Sequence, residues 1–113
     1  MPEITSLITE GQALLEQART ETSGRAGTSL IHGEHQRAVL MGLTAGSHLA
    51  EHEAPKAASL QVIAGRARLY VTGESSESAR EWLLEQGDLI EIPQARHGVE
   101  ALSDSILLLT ITL

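Results

Sequence analysis

The sequence predicts an all-β fold, a sandwich or barrel of short strands preceded by one short helix. Two observations support this prediction. Only the first twenty or so residues carry apolar side chains at helical spacing, and the rest of the chain is a series of short apolar runs separated by Gly, Ser, Asp and Pro. These runs recur about every ten residues, which is typical of a sandwich or barrel rather than of alternating strands and helices.

The helix is predicted over residues 4–20, where apolar residues fall mostly on one side. Gly11 weakens its middle, and the cluster of turn-forming residues at 20–27 ends it. The apolar positions are Ile4, Leu7, Ile8, Leu14, Leu15 and Ala18. We therefore divide the chain into a helical segment, residues 1–23, and a β-barrel domain, residues 24–113.

Nine strands are predicted after the helix. They cover Thr28–His32, Arg37–Gly42, Ser47–His52, Ser59–Ala64, Arg66–Thr72, Arg80–Leu84, Asp88–Pro93, His97–Ala101 and Ile106–Thr112.

Side chains alternate between the two faces of a strand, so inward positions can be assigned. If His52 points inward, so does Ala54, while Glu51 and Glu53 point outward. His97 shares a face with Val99. The last strand is apolar on both faces and needs cover on both sides, from the helix or from a second subunit.

Composition bounds the function. The chain of 113 residues is the size of one domain, and its apolar content of 42% supports a core. It has no cysteine, so disulfides and thiolate chemistry are excluded. A net charge of −7 with scattered basic residues argues against nucleic-acid binding. No apolar stretch approaches a membrane span, and Met1-Pro2-Glu3 lacks the positive region of a secretory signal. We expect a cytoplasmic protein.

Two segments have a recognisable layout. In the first, Gly46 is followed by His52 and Gly65; in the second, Gly87-Asp88 is followed by Pro93 and His97. This layout resembles the two motifs of the cupin superfamily, small β-barrels that often hold one metal ion. The resemblance extends over about residues 24–113, and residues 49–55 are similar to a segment of small bacterial single-domain cupins. It implies a double-stranded β-helix, the cupin or RmlC-like jelly-roll barrel, with the two histidines facing its interior from neighbouring strands.

The chain departs from the family pattern at the metal ligands. That pattern has two histidines one residue apart, then a glutamate. Here His52 stands at the first histidine, but Ala54 stands at the second and Ala58 at the glutamate. A mononuclear site usually needs three protein ligands. A metal held by His52 and His97 alone, Zn, Ni, Mn or Fe, therefore stays open as an alternative, and no cofactor is certain.

Other histidines are weaker candidates. His48 shares a strand face with His52 if the strand is regular, but the two would then lie about 13 Å apart, too far for one ion. The segment His32-Gly33-Glu34-His35 sits where a hairpin turn is expected and is best explained by two solvated histidines.

Three functions are compatible with these residues. We favour a barrel that binds a small organic ligand near His52, His97 and Arg96, with an apolar lining that includes Val62 and Ile92. The second is a metal-dependent oxygenase or isomerase with an incomplete two-histidine site, and the third is a non-catalytic scaffold. Arg66, Arg68 and Arg96 are expected mostly to pair with surface glutamates, although a guanidinium at the mouth could orient an acidic ligand. Small cupins commonly dimerise, so we expect a homodimer.

Overall fold

The protein is described here by a computed structural model, which defines residues 2–54, 56–73 and 78–113. One helix, α1, spans Leu7–Thr20. The strands are β1 (Arg25–His32), β2 (Gln36–Leu43), β3 (His48–His52), β4 (Ala57–Ala64), β5 (Arg66–Val71), β6 (Arg80–Glu85), β7 (Leu89–Glu91), β8 (His97–Ala101) and β9 (Ser105–Thr112). All nine predicted strands are present, with ends that differ by a few residues.

The strands form two antiparallel sheets that pack face to face. One sheet has the order β1-β2-β9-β4-β7 and the other has the order β3-β8-β5-β6. Their inward side chains make one aliphatic core, which joins Leu43, Leu60 and Leu107 of the first sheet to Leu69 and Val99 of the second. The prediction of an all-β jelly-roll barrel with a short N-terminal helix is confirmed.

The helix begins later than the sequence predicted. Ser6 caps it, because its side-chain oxygen accepts a hydrogen bond from the backbone N–H of Thr9 at 3.2 Å. Ile4 therefore lies before the helix and is fully exposed, so its assignment to the apolar face was wrong. The buried residues are Gly11, Leu14, Leu15 and Ala18.

The helix packs on the outer face of the five-stranded sheet. Leu14 and Leu15 form a second apolar cluster with Leu40 of β2 and Ile106 of β9. Two glycines allow the close approach. A Cβ on Gly42 would lie 2.6 Å from the backbone N of Leu15, and one on Gly11 would collide with the Ile106 side chain.

The helix supplies the outer cover that the last strand requires. Ile106 points outward to the helix and is 2% exposed, while its neighbour Leu107 points inward and is fully buried. Leu108 also packs against the helical cluster, but Thr110 and Thr112, farther along the same face, lie beyond it. The apolar residues of the outer face are thus the ones that the helix covers.

Strand β1 begins three residues earlier than predicted. Residues 25–27 were assigned to a turn because of their two flanking glycines, but Arg25 pairs with Leu43 and Gly27 with Met41. Of the two glycines in this segment, Gly24 has a positive φ of 71°, a turn conformation that favours glycine, and Gly27 does not. Ladder hydrogen bonds to β2 override the local preference of Gly27.

The barrel has two different ends. At the closed end lie the turns at 44–47, 65, 86–88 and 102–104, which are cross-linked by hydrogen bonds. Asp104 accepts one from the backbone N–H of Ala45 at 2.9 Å, and Ser105 donates one to the carbonyl of Arg66 at 2.9 Å. At the open end lie the connections before β2, after β3 and before β8.

In residues 2–54, 56–73 and 78–113, no helix is long and apolar enough to cross a membrane.

Candidate functional site

A pocket of about 200 Å³ enters the barrel at the open end. It lies between the two sheets, so both contribute to its wall. Its lining residues are His52, Glu53, Ala54, Ala58, Ile92, His97, Leu109 and Ile111. That volume corresponds to roughly six or seven water molecules, enough for a small organic molecule.

The two histidines meet directly across a strand pair. His52, the last residue of β3, lies opposite His97, the first residue of β8. Their ring centroids are 4.4 Å apart with the planes inclined at 60°. His97 is 2% exposed, whereas His52 is exposed at the mouth. One ligand can therefore contact both rings, with His97 at the base and His52 at the entrance.

A β-bulge places His52 in the pocket. Leu49 pairs with Val99 and packs on the core, but the next partners along β3 and β8 are His52 and His97. Three steps on β3 thus match two on β8, and the extra residue turns His52 inward. The expectation that His48 shares the face of His52 was wrong for this reason. His48 lies opposite Glu100 and is exposed.

Both rings use the same nitrogen, Nδ1, to bond a backbone carbonyl two residues earlier. Nδ1 of His52 lies 2.9 Å from the carbonyl oxygen of Ala50, and Nδ1 of His97 lies 3.0 Å from that of Ala95. A carbonyl oxygen only accepts, so each Nδ1 carries the hydrogen and donates it. In the neutral ring Nε2 then bears the lone pair and is free to accept from a ligand or to bind a metal.

The other two metal-ligand positions of the cupin motif are occupied here by Ala54 and Ala58, whose side chains cannot bind a metal. Both alanines line the pocket, so the sequence motif and the structure agree on where those ligands would stand. Within the described part of the chain, no group of three or more His, Cys, Asp or Glu is placed to hold a metal ion. The residues present do not make a three-ligand metal site.

The structure brings together three of the five residues predicted to bind a ligand. His52, His97 and Ile92 line the pocket, and the backbone N–H of Ile92 donates to the carbonyl of Ala58 at 2.9 Å. Val62 lies deeper in the core and is fully buried. Arg96 lies outside on the surface.

Arg96 is engaged by strand β3 and the segment after it rather than by the pocket. Its guanidinium donates to the carbonyl of Glu51 at 3.1 Å and lies 3.6 Å from the Glu53 carboxylate. The Arg96 side chain is 58% exposed. Its effect on a ligand is therefore indirect, through the position of the β3 end.

Sequence reasoning did not assign Leu109, Ile111 and Glu53 to the site. Leu109 and Ile111 alternate with the outward Thr110 on β9, so the period of two could have placed them on the inner face with Leu107. Glu53 was expected to point outward, but it lines the rim of the pocket. It follows the bulge, where regular alternation no longer predicts direction.

The other arginines and histidines of interest lie on the surface, as expected. Arg66 pairs with Glu85 at 3.0 Å, and Arg68 pairs with both Glu81 and Glu100 at 3.1 Å. The hydrogen bonds to Glu100 and Glu81 hold the pKa of Arg68 above its ordinary value. His32 and His35 flank the hairpin turn between β1 and β2 and are exposed.

Comparison with known proteins was informative only for structure. No protein-family model matches the chain, and no curated protein matches its sequence. A protein of unknown function from Streptococcus pyogenes, SPY1581, superposes with a TM-score of 0.73 at 16% identity, covering 99% of this chain and 88% of that one. An RmlC-like cupin from Desulfovibrio desulfuricans superposes with a TM-score of 0.71 at 21% identity, covering 97% of both chains.

The protein has the RmlC-like cupin fold. This confirms the resemblance inferred from the two sequence motifs. Among solved structures of this fold, a variant of oxalate decarboxylase from Bacillus subtilis also superposes, with a TM-score of 0.68 at 22% identity, over 81% of this chain and 26% of that one. The cupin fold is thus shared by enzymes and by proteins of unknown function, so it leaves the activity of this chain open.

Proposed function

We propose that this cupin-fold protein binds a small organic molecule in the pocket at the open end of the barrel. One observation carries the proposal. The pocket keeps two histidines whose Nδ1 atoms are held by backbone carbonyls, which leaves each Nε2 to accept from a ligand, while Ala54 and Ala58 leave space where ligating side chains stand in the cupin motif. Polar groups at one side of an apolar cavity are what orient small ligands in proteins.

The wall suits a molecule of mixed polarity. Ile92, Leu109 and Ile111 offer an apolar surface, and the two histidine rings offer hydrogen-bond acceptors on the facing sheet. A bound molecule places a hydroxyl or amide N–H toward Nε2 of His97 and its hydrocarbon part toward β9. Water is displaced from the base of the pocket, which strengthens the buried hydrogen bond.

The proposal is tested by NMR with ¹⁵N-labelled protein and a library of small neutral and charged molecules. We expect saturable shifts of the His97 ring and of the Ala54 and Ile111 amides in the parent. The variant Ala58→Leu fills the pocket, so it loses these shifts. The variant Leu83→Ala, on the exposed face of β6, is the matched control and keeps them.

Two results would contradict the proposal. If no molecule in the library shifts the pocket resonances, the result favours a non-catalytic scaffold over a ligand-binding barrel. If a molecule binds equally well to the parent and to Ala58→Leu, it binds elsewhere on the protein.

A metal-dependent enzyme is the second candidate, favoured by the paired Nε2 atoms. It is tested by plasma mass spectrometry of tag-free protein purified without chelator, beside the His52→Ala/His97→Ala variant. Near-stoichiometric Zn, Ni, Mn or Fe in the parent and its loss in the variant would replace the organic-ligand proposal by a metal site. If the parent protein remains metal-free after incubation with these ions, a function that depends on one of them is excluded.

We further propose that two copies of the chain associate through the uncovered part of the outer face of the five-stranded sheet. A shallow groove of about 540 Å³ lies there between β4, β7 and β9, beside Leu89, which is 66% exposed. Light scattering after gel filtration is expected to give a dimer for the parent and for Leu83→Glu, and a monomer for Leu89→Glu. A monomeric parent at micromolar concentration would contradict it.

A further inference from the structure

Arg37 shares the inner face of the five-stranded sheet with residues of the pocket wall. It lies opposite Ile111 in the pairing of β2 with β9, and Ile111 lies opposite Ala58 in the pairing of β9 with β4. Residues that pair directly across antiparallel strands point to the same face. Since Ile111 and Ala58 both line the pocket, Arg37 is the next side chain in the row that forms its wall.

Among the described residues, Nε of the Arg37 guanidinium has no hydrogen-bond partner. This nitrogen is buried. The surface arginines differ: Arg19, Arg66, Arg68 and Arg96 each lie beside a carboxylate. A buried donor without an acceptor is rare in folded proteins, and a bound anion that accepts from it would account for this one.

The polar groups near the pocket lie on two opposite sides, one on each sheet. The five-stranded sheet carries a cation in Arg37, and the four-stranded sheet carries the two histidine acceptors. An apolar strip of Ile111 and Leu109 separates them. A ligand that satisfies both sides needs an anionic group at one end and a hydrogen-bond donor at the other.

We propose that the pocket is selective for a small monocarboxylate that also carries a hydroxyl group. Its carboxylate accepts from the Arg37 guanidinium, whose planar donors match the two oxygens of a carboxylate. Its hydroxyl donates to Nε2 of His97 or His52. The inference rests on the proposed function and names the chemical class of its ligand.

The charges of the pocket favour one negative charge over two. Arg37 provides a single unpaired cation, and Glu53 places a carboxylate at the rim, partly compensated by Arg96 at 3.6 Å. A phosphate dianion would bring a second negative charge that no described group faces. A carboxylate monoanion balances Arg37 alone.

The experiment uses 4-hydroxybutyrate, whose hydroxyl and carboxylate lie at opposite ends, and its neutral amide, 4-hydroxybutyramide, as matched probes, with inorganic phosphate as a competing anion. Binding is followed by NMR through the Arg37 Nε–H resonance and the pocket amides of the full chain. We expect 4-hydroxybutyrate to shift the Nε–H resonance and to bind at least tenfold more tightly than its amide or phosphate. In Arg37→Gln the affinity for 4-hydroxybutyrate falls at least tenfold, while Arg66→Gln, a surface arginine, leaves it unchanged.

Each contrary result has its own meaning. Equal binding of 4-hydroxybutyrate and its amide, or unchanged 4-hydroxybutyrate binding in Arg37→Gln, overturns the carboxylate inference but leaves the proposed pocket. Tighter binding of phosphate overturns the choice of carboxylate. If neither probe nor any library molecule shifts the pocket, both the inference and the proposed function fail.

The variant Arg37→Lys keeps the test informative if Arg37→Gln does not fold. It keeps the charge but loses the planar pair of donors, so we expect intermediate affinity for 4-hydroxybutyrate with an unchanged amide spectrum. The Nε–H readout of the parent needs no variant. A parent in which 4-hydroxybutyrate shifts the pocket amides but not the Arg37 resonance overturns the inference.

Discussion

The two ends of the barrel are built from the same strands with the same alternation, yet they do different things. At the closed end, the inward positions hold Leu43, Val62, Leu69 and Leu107, all fully buried. At the open end, the same faces hold alanines and histidines around a cavity, with Arg37 paired to Ile111 of its wall. The closed end stabilises the fold, and this lets the open end keep polar groups and empty volume at a cost in stability. The difference shows where substitutions are expected to act on folding and where on binding.

The largest expected effect is at the closed end. Leu69→Ala removes a fully buried side chain and leaves a cavity, which costs about 3 kcal/mol of unfolding free energy. Leu109→Ala enlarges a pocket that already exists, and we expect a loss of about 1.5 kcal/mol. Urea denaturation followed by circular dichroism measures both. Equal losses would show that the two ends do not differ in packing.

The next prediction tests whether the two missing ligands are enough to turn the open end into a metal site. The double variant Ala54→His/Ala58→Glu restores the ligand types of the cupin motif beside His52 and His97. We expect at least a hundredfold gain in affinity for Mn or Zn over the parent, about 2.7 kcal/mol. Isothermal titration calorimetry gives the constants. Ala67→His, on β5 at the closed end, is the control, and a similar gain there would mean unspecific histidine binding.

The same substitution, alanine to leucine, is expected to change the unfolding free energy differently at the two ends. Ala67→Leu inserts a larger side chain where Ala67 is fully buried, and overpacking costs about 2 kcal/mol. Ala58→Leu enters the pocket instead, and its unfolding free energy is expected to change by less than about 1 kcal/mol. Thermal and urea unfolding of the pair measure the contrast. A larger loss for Ala58→Leu would indicate that the pocket cannot accept added volume.

The smallest effect concerns the turns of the closed end. The hydrogen bond from the Ala45 backbone, and then that from Arg19, hold the pKa of Asp104 below its ordinary value of 3.8. The ionised carboxylate therefore adds stability above pH 3.8 that is lost as the pH falls through the lower folded pKa. Because the side chains of Asp104 and Arg19 are each 44% exposed, we expect only about 0.5 kcal/mol.

The measurement compares Asp104→Asn with the parent by urea unfolding between pH 7 and pH 2.5. The variant is less stable at pH 7, and the two curves converge below pH 3.8. Glu16→Gln, on the exposed side of Arg19, is the control. A difference that persists at the lowest pH would assign the effect to packing rather than to charge.

Much of the site was predictable, and its exceptions share one cause. Period-two alternation placed His97 on one face with Val99, the cupin resemblance implied that this face is the inner one, and the motif spacing gave the positions of Ala54 and Ala58. The direction of His52 was assumed, and it is a bulge between Leu49 and His52 that turns the ring inward. A bulge adds a residue to one strand only, so it shows in the pairing of two strands and leaves no sign in either one alone. For the same reason His48 and Glu53 were assigned to the wrong faces.

The sequence by itself determined the all-β class, the nine strands, the helix and the two histidines of the pocket, because these follow from local periodicity and from short motifs. The tertiary structure decided that the helix rather than a second subunit covers Ile106, through the close approach at Gly11 and Gly42. It also decided that Val62 lies in the core, that Arg96 lies outside, and that Arg37 pairs with Ile111 of the pocket wall and has a buried Nε with no hydrogen-bond partner among the described residues. These facts depend on which strands pair and in which register, and such long-range contacts leave no periodic signal in the chain.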